Sequence, residues 1–565
     1  MEFIIKVDLS CLNSYNVSFV DKFDANSIAV NQLVVQKMLH LDYEIRNAKC
    51  NVLLMGDIIH YDPDDAVKSK GYFYEVKYDK VINEIVIKND IHSFLPIYYV
   101  VDKNVILVSS SVDWLSCLLD DKTHNPQFII DIALFNVPID SACFLQKIKR
   151  VGYGKSITIS QFGLFVTPSR RVYDYFVDNP VSYAESIGNI VNVFIEQCSY
   201  YVDEHCFISL TGGFDGRTIV SLSHYLGNKY TTYSYGRAHN DDVVIPEMIS
   251  KKLGLEYLHL PTSDFFAENQ YIGSVQASLR YSGGMNSFLY PHAYFVATQL
   301  EQLNRPIVTG YCGSELLRNA HSGGAVSSQC AIDLLKGGVQ YAITRAMERL
   351  NNSVLDSDCR TKYLVPAIES VALYFDKLPN RLSSNQKLAV FEYEEVLPKL
   401  FGTWVYISMH FAKTRVPFMD PIFFSELAKT RVSQVYRNFL EQSPIRRFYG
   451  QLLYSKIMEK TWPEISELVS GKGYSPADLL SVKGRVKVAL GYRIKQKKKK
   501  FTNYDNLGLI SGMMKYIGKL PIARKAELDS VIDVEELSKN GSKRDMVLLK
   551  LSALEYNAIL NRKQN

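Results

Sequence analysis

Short apolar runs separated by polar turns dominate the first 170 residues. The runs are rich in β-branched and aromatic residues, and Asp, Asn and Lys stand between them, a pattern typical of strands. Helical spacing of apolar positions interrupts them at 112–120 and 126–135. This part is therefore predicted to be an α+β layer built around antiparallel sheets. Its predicted strands lie at 3–7, 71–76, 84–87, 97–101, 105–108, 155–159 and 163–166.

After Tyr173 the pattern changes to alternating strands and helices. A helix at 183–199 precedes a buried strand that begins at Cys206 and leads into a glycine-rich turn at 211–217. Alternation at this spacing indicates a parallel sheet with helices on its faces. From about residue 325 to the end the pattern is mostly helical. The remaining predicted elements are helices at 218–226 and 241–253 and strands at 230–235, 257–260 and 306–309.

Length and composition are those of an ordinary globular chain. The 565 residues are 47% apolar and 22% charged, close to globular averages, and a prior of about 150 residues per domain gives roughly two to four domains. No stretch approaches the length of a membrane span, so none is predicted. The nine cysteines form no Cys-x-x-Cys pair, which argues against a disulfide framework. With a start that lacks signal-peptide features, this predicts a cytoplasmic protein.

The charge balance does not favour a nucleic-acid partner. A net charge of +5 over 565 residues is too weak to indicate polyanion binding. One basic run, Lys-Gln-Lys-Lys-Lys-Lys, stands at 495–500, without the interleaved aromatic residues of single-strand binding grooves. A solvated helix end or loop is the simpler interpretation, and a phosphate-gripping segment is the alternative.

The strongest chemical signal is the segment Ser209-Leu-Thr-Gly-Gly-Phe-Asp-Gly-Arg217, between a predicted strand and a predicted helix. Its glycines allow a tight turn whose amides, with the helix N-terminus, can face an anion. Asp215 would repel a bare phosphate, but Mg²⁺ can bridge a carboxylate to polyphosphate oxygens. The alternative is a glycine-rich turn capped by an aspartate. The spacing is neither a Walker loop nor a dinucleotide fingerprint.

Several segments together resemble one family. The glycine-rich segment resembles the pyrophosphate loop of N-type ATP pyrophosphatases, Ser-Gly-Gly-x-Asp-Ser. The segment Thr309-Gly-Tyr-Cys-Gly-Ser-Glu315 resembles the second nucleotide motif of asparagine synthetase, and Arg415-Val-Pro-Phe-Met-Asp420 is similar to that family's Arg-Val-Pro-Phe-Leu-Asp. Residues 89–99 and 144–154 resemble segments of its amidotransferase domain. The resemblance runs in order from about residue 70 to 475.

The resemblance implies two domains. One is an α+β amidotransferase-like (Ntn-like) domain at 1–175, and the other is an α/β synthetase domain of ATP-pyrophosphatase type at 176–565, with a parallel sheet and a helical C-terminal part. Glutamine-dependent members use a cysteine directly after the initiator Met, whereas this chain has Glu2 there and its first cysteine is Cys11. An N-terminal amine cannot activate an internal thiol in the same way, so glutaminase activity is not expected. The same loss occurs in β-lactam synthetase and the lasso-peptide cyclases.

The resemblance also implies a nucleotide and metal site. Asp215 and Glu315 would hold Mg²⁺, while Ser314 replaces an aspartate expected to share that role. Thr211 can still offer a hydroxyl, and Gly216 keeps only a backbone donor where the family has serine. The implied nucleotide-binding positions are Leu210, Thr211, Gly212, Gly213, Asp215, Gly216, Tyr235, Thr309 and Gly310.

The implied catalytic residues act on charge and on the nucleophile. Arg217 would add a cation beside the phosphates, and Arg446 or Arg447 would replace the family's lysine on the far side of the pyrophosphate. Tyr311 and Glu315 would border the site and orient the nucleophile.

These expectations describe an ATP- and Mg²⁺-dependent enzyme that forms amide bonds. A small-molecule or peptide carboxylate would be activated as an acyl-adenylate with release of pyrophosphate, and an amine or ammonia would then attack it. The protein would contribute positioning and neutralisation of phosphate charge. Two alternatives stay open: a non-catalytic homologue that binds nucleotide or a partner, and a nucleic-acid-associated nucleotide-activating enzyme. A homodimer is one expected assembly.

Overall fold

A computed structural model of the chain describes most of its residues. The predicted site residues Arg446 and Arg447, the basic run at 495–500 and Cys11 lie outside the described residues. The described part is the whole chain except residues 1, 10–15, 21–23, 25–27, 30, 37–41, 48–49, 80, 263–269, 287–289, 319–320, 322–325, 351–359, 442–448, 489–541 and 562–565.

Two six-stranded sheets make up the N-terminal part. Their strands are β1 (Phe3–Asp8), β2 (Asn16–Val20), β3 (Gln32–Gln36), β4 (Asp42–Asn47), β5 (Cys50–His60), β6 (Lys70–Asp79), β7 (Glu84–Lys88), β8 (Tyr98–Asp102), β9 (Val105–Ser109), β10 (Lys149–Arg150), β11 (Lys155–Ser160) and β12 (Gly163–Pro168). The strand orders are β10-β8-β9-β1-β3-β2 and β12-β11-β7-β6-β5-β4. Pairing is antiparallel except between β2 and β3, which run parallel.

The inner faces of these two sheets pack against each other. The rings of Phe3 on β1 and Tyr74 on β6 meet edge to face with centroids 4.9 Å apart. Phe3, Ile5 and Val7 of β1 face this core, while Ile4 is buried in a second apolar cluster on the opposite face of the strand. Helices α1 (Val112–Cys117) and α2 (Pro126–Phe135) follow β9, and the side chains of Ser111 and Asn125 cap their N-termini.

A five-stranded sheet lies in the second part of the chain, and all its strands run parallel. The strands are β13 (Cys206–Ser209), β14 (Tyr230–Gly236), β15 (Tyr257–Pro261), β16 (Ile307–Val308) and β17 (Thr414–Arg415). Their order across the sheet is β15-β14-β13-β16-β17. Chain order therefore reverses between β13 and β16, which lie side by side.

Helices cover this sheet and make up most of the C-terminal part of the chain. They are α3 (Tyr183–Cys198), α4 (Asp215–Tyr225), α5 (Asp241–Leu253), α6 (Gln270–Tyr281), α7 (His292–Glu301), α8 (Gly313–Leu317), α9 (Gln329–Leu350), α10 (Val365–Asp376), α11 (Ser384–Phe391), α12 (Leu397–Met409), α13 (Pro421–Leu427), α14 (Tyr449–Thr461), α15 (Pro463–Ser466) and α16 (Ser542–Asn561). A π-helical turn, Glu392–Val396, joins α11 to α12. No helix in the described part is long and apolar enough to cross a membrane.

The predicted fold class is confirmed in its general form. Antiparallel sheets come first in the chain, and a parallel sheet with helices comes second. The amidotransferase-like and pyrophosphatase-type assignments, and the domain limits 1–175 and 176–565, stay predictions. One boundary was wrong: the helix predicted to start at Thr218 starts at Asp215. The acidic residue of the glycine-rich segment therefore lies in the first turn of α4.

Buried charges join the two parts of the molecule. Arg415 on β17 donates from Nε and Nη2 to the two carboxylate oxygens of Asp57 on β5, at 2.6 and 3.1 Å, and from Nη1 to Asp203 at 2.6 Å. Arg415 and Asp57 are both buried. Lys70 on β6 pairs with Asp420 in the same interface and donates to Gln197 at 2.9 Å. A planar, bidentate pair of this kind fixes relative orientation as well as charge.

We expect Arg415→Met to lower the free energy of unfolding by about 3 kcal/mol, because it leaves the Asp57 carboxylate buried without its main partner. Lys413, whose Nζ lies 3.9 Å from Asp57, retains part of the neutralisation. Urea unfolding followed by circular dichroism measures the change. The control is Arg345→Met, which breaks an exposed pair with Glu348 and should cost less than about 0.5 kcal/mol. Equal losses of unfolding free energy in the two variants would show that the buried Arg415–Asp57 pair stabilises the protein no more than an exposed pair.

Candidate functional site

The reversal of strand order creates a crevice at the carboxyl ends of β13 and β16. In open parallel sheets, loops that leave adjacent strands in opposite directions open such a crevice, and ligands bind there. The loop after β13 carries the glycine-rich segment, and the loop after β16 carries residues 309–312. The two motifs that the sequence separates by about a hundred residues therefore meet at one point of the fold.

Hydrogen bonds fix the shape of the glycine-rich loop. The Leu210 N–H donates to the Tyr233 carbonyl at 2.8 Å, which keeps the loop entry paired with β14. The Gly213 N–H donates to Thr211 Oγ1 at 3.2 Å, and the Gly212 N–H donates to Asp242 Oδ1 at 3.0 Å. An anion at this loop would compete with these two side-chain acceptors for the amides. Asp242, in the first turn of α5, was not predicted as a site residue.

Asp215 is the centre of the crevice. Its Oδ2 accepts a hydrogen bond from Ser314 Oγ at 2.9 Å, and its Oδ1 accepts one from the Tyr454 hydroxyl on α14. The positive end of the α4 dipole lies at the same residue, which favours an anionic side chain there. The Ser314 hydroxyl therefore orients the Asp215 carboxylate.

Close backbone approach makes this contact possible. A Cβ atom on Gly313 would lie 2.8 Å from Asp215 Oδ1 and 2.9 Å from the Tyr454 hydroxyl oxygen, and one on Gly310 would lie 2.9 Å from the Asp215 Cβ. Any side chain at either position would push the second loop away from α4. Glycine at these two positions therefore lets Ser314 reach Asp215.

Glu315 lies close enough to Asp215 for their charges to interact, and a second buried carboxyl group, Glu392, interacts in the same way with Glu315. Burial and the neighbouring Asp215 charge raise the pKa of Glu315 to about 8, and Arg318 opposes the shift. Glu392 is fully buried, accepts a 3.4 Å hydrogen bond from Ser327 Oγ, and its pKa lies well above the usual range because of burial. Its Oε2 has no hydrogen-bond partner within the described residues. Glu392 was not among the predicted site residues.

Lys472 supplies a cation that the sequence analysis missed. Its loop is tied to the glycine-rich loop because the Gly471 N–H donates to the Gly212 carbonyl at 3.1 Å. The ammonium lies 5.5 Å from the Phe214 ring centroid. Burial lowers the pKa of Lys472 to about 8, Arg318 adds to that shift, and Asp215 opposes it.

Arg217 does not have the role predicted for it. Its side chain is fully buried, and its two terminal nitrogens donate to the Leu468 and Val469 carbonyls at 2.6 and 2.9 Å. The guanidinium thus anchors the chain after α15 to α4 instead of facing a phosphate. Burial without an acidic partner lowers the pKa of Arg217 to about 10. The expectation that Arg217 neutralises phosphate charge is therefore corrected.

The remaining predicted residues lie around the crevice. The Thr309 N–H donates to the Arg415 carbonyl at 2.9 Å, and Thr309 is buried. Tyr311 packs against Phe401 and Trp404 of α12 with ring centroids 5.5 and 5.7 Å away. Tyr235 lies near the carboxyl end of β14.

A separate surface cleft of about 510 Å³, lined by His205, Lys229 and Arg305 among others, lies at the amino ends of the strands, away from the predicted site residues.

The acidic residues fit a metal ion only in company with another ligand. The described residues contain no group of three or more His, Cys, Asp or Glu side chains able to hold a metal ion. Asp215 and Glu315 interact closely enough for the charge of one to shift the pKa of the other. Two carboxylates are what Mg²⁺ usually takes from a protein when phosphate oxygens and water complete its shell.

No family profile matches the chain, and no curated protein matches it either.

We expect Gly216→Ala to destabilise the protein by about 2–3 kcal/mol, because an added Cβ would lie 2.3 Å from the Ser209 carbonyl oxygen and backbone cannot yield cheaply. The matched control is Gly188→Ala, an exposed position within α3 where nothing lies within 4 Å. That change should stabilise by about 0.5–1 kcal/mol through helix propensity. Thermal or urea unfolding gives both values, and equal signs would show that steric fit does not fix glycine at position 216.

Proposed function

We propose that the protein is an ATP- and Mg²⁺-dependent ligase that activates a carboxylate as an acyl-adenylate for attack by an amine or ammonia. One observation carries the proposal. The segments at 211–217 and 309–315, which resemble the nucleotide motifs of asparagine synthetase, meet at the switch point of a parallel sheet, with Ser314 donating to Asp215 at 2.9 Å.

The residues around Asp215 suit ATP as a substrate. Asp215 and Glu315 would hold Mg²⁺, which would neutralise the negative charge of the phosphates. The amides of the loop at 211–214 and the N-terminus of α4 would face the pyrophosphate portion. Thr309 and Gly310 would lie on the opposite wall of the crevice, and Tyr235 at its edge.

The proposed reaction has two steps. A carboxylate oxygen attacks the α-phosphorus of ATP, and the bond from that phosphorus to the bridging oxygen of pyrophosphate breaks. The amine nitrogen then attacks the acyl carbon, the bond from that carbon to the AMP oxygen breaks, and the nitrogen gives up a proton. The chain's contribution is to orient the reactants and neutralise charge.

Lys472 takes the cationic role in this proposal. Its loop is bonded to the glycine-rich loop, and its charge interacts with that of Asp215. An ammonium in this position can follow the phosphate charge as pyrophosphate separates. Arg217 is committed to backbone carbonyls elsewhere, so the proposal does not use it.

Glu315 would border the nucleophile as well as hold Mg²⁺, and its carboxylate would orient the attacking nitrogen. Glu392 lies close enough to Glu315 for their charges to interact. Tyr311, on the same loop, would border the nucleophile.

Asp215→Asn is expected to reduce ATP–pyrophosphate exchange by at least about a hundredfold, since it removes a preorganised charge from the site while keeping the side-chain size. Exchange is measured with a panel of carboxylic acids that includes aspartate and aromatic acids. Asp102→Asn, at an exposed position on β8, is the control and should leave exchange unchanged. Equal exchange rates in the Asp215 variant and the wild type would contradict the proposed mechanism. ATP binding without exchange for any acid would favour a non-catalytic homologue.

Glu315→Gln tests the second metal position. A metal role predicts that the magnesium titration of exchange shifts to higher Mg²⁺ and that Mn²⁺ partly restores activity, because Mn²⁺ accepts the same oxygen ligands. If Glu315 only pairs with Arg318 or caps α8, stability falls slightly and the magnesium titration does not move. Glu348→Gln on the exposed face of α9 is the control.

A further inference from the structure

Six aromatic side chains from four segments meet beside the crevice. They are Tyr235, Tyr290, His292, Tyr311, Phe401 and Trp404, called here the aromatic cluster. Trp404 is at its centre, with ring centroids 5.1 Å from His292, 5.5 Å from Tyr290 and 4.8 Å from Phe401. His292 also stacks on Tyr235 at 5.8 Å with planes 12° apart.

The cluster adjoins the proposed reaction centre. Tyr311 contacts both Phe401 and Trp404, and it stands three residues before Ser314, the partner of Asp215. Three residues span at most about 11 Å. A carboxylate attached to a ring at the cluster therefore lies within reach of a phosphate at Asp215.

Polar atoms in the cluster lack partners. Trp404 is 6% exposed, yet its Nε1 donates to nothing within the described residues, and His292 Nδ1 has no partner there either. A buried donor without an acceptor is unfavourable, so native structures rarely keep one without cause. Two such atoms in one cluster point to a ligand that supplies hydrogen-bond acceptors and donors.

The cluster offers no charge to that ligand. Burial lowers the pKa of His292 to about 4, so its imidazole is neutral at physiological pH, and burial keeps the hydroxyls of Tyr235 and Tyr311 protonated by raising their pKa. A phosphate or a free carboxylate would have no counter-charge here. Ring faces and edges with neutral donors suit a flat, uncharged group that stacks or meets the rings edge to face.

We propose that the aromatic cluster binds the ring of an aromatic carboxylate substrate, with Trp404 Nε1–H donating to an acceptor on that ring. This inference rests on the proposed function, because that function supplies the carboxylate. Tyr235, Tyr290, His292 and Tyr311 are partly exposed and Trp404 and Phe401 are buried, so the substrate ring would approach the cluster from the side of the four partly exposed residues. Aspartate, which has no ring, would be a poor substrate.

The test compares three probes of similar size: 4-hydroxybenzoate, 4-methylbenzoate and cyclohexanecarboxylate. Binding is followed by quenching of tryptophan fluorescence in the intact protein, without ATP. We expect 4-hydroxybenzoate to bind most tightly, because its oxygen can accept from Trp404. Trp404→Phe keeps the ring contacts and removes the donor, so it should weaken 4-hydroxybenzoate by about fivefold or more and change 4-methylbenzoate little. Calorimetry measures the same constants in the variant.

The control is Trp462→Phe, whose ring stacks on His224 at the far end of α4 and should not affect binding. Thermal unfolding verifies that each variant is folded. If Trp404→Phe does not fold, His292→Gln replaces it, since loss of the stacked ring should weaken all planar probes.

The outcomes separate this proposal from the proposed function. If 4-hydroxybenzoate binds in a Trp404-dependent way but no acid supports ATP–pyrophosphate exchange, the aromatic cluster is a ring-binding site and the proposed ligase function is wrong. If aspartate supports ATP–pyrophosphate exchange and the aromatic probes do not bind, the ligase function is supported and ring binding at the aromatic cluster is wrong. ATP that displaces 4-hydroxybenzoate from Trp404 would make the cluster an adenine site, which also overturns the proposal.

Discussion

Arg415 couples three parts of the molecule that the site needs together. Its guanidinium spans Asp57 on the N-terminal sheet and Asp203 just before β13, while its carbonyl accepts from Thr309 at the start of the second loop. Moving this residue would shift the sheet interface and the loop at once. A buried pair leaves little tolerance for such movement, because a separated charge would stay unsolvated. The N-terminal sheets therefore contribute to the position of the crevice.

Opposing charges under burial give the crevice its electrostatic character. Burial raises the pKa of Glu315 and of Glu392, and the charge of Asp215 adds to the shift of Glu315. Burial and Arg318 lower the pKa of Lys472. Glu315, Glu392 and Lys472 are thus held away from their ordinary protonation equilibria. A ligand that brings both cations and anions, such as a nucleotide with its metal, would offer a counter-charge to the buried carboxyl groups and another to the buried lysine. A neutral ligand would offer neither.

The parts of the site that lie close together in the sequence could be predicted from the sequence pattern around them. The glycine-rich loop, Asp215 and the strand before them follow from short-range pattern, and the parallel sheet follows from alternation. Lys472 and Tyr454 could not be predicted in this way, because their positions depend on how α14 and the loop after α15 pack against α4. The role predicted for Arg217 was wrong for the same reason, because a position next to the glycine-rich loop does not determine which side of the helix a side chain faces. The long strand β5 was also missed, since its run of apolar residues lacks alternation.

The two positions at which the chain differs from the motifs it resembles have different physical surroundings. Gly216 is sterically required, since any Cβ would meet the Ser209 carbonyl, so a serine could not stand there unless the backbone moved. Ser314 places a hydroxyl donor against the Asp215 carboxylate, whereas an aspartate at that position would place a second negative charge beside it. Since the charge of Asp215 already acts on Glu315, the neutral donor at position 314 limits the repulsion among the acidic groups of the crevice.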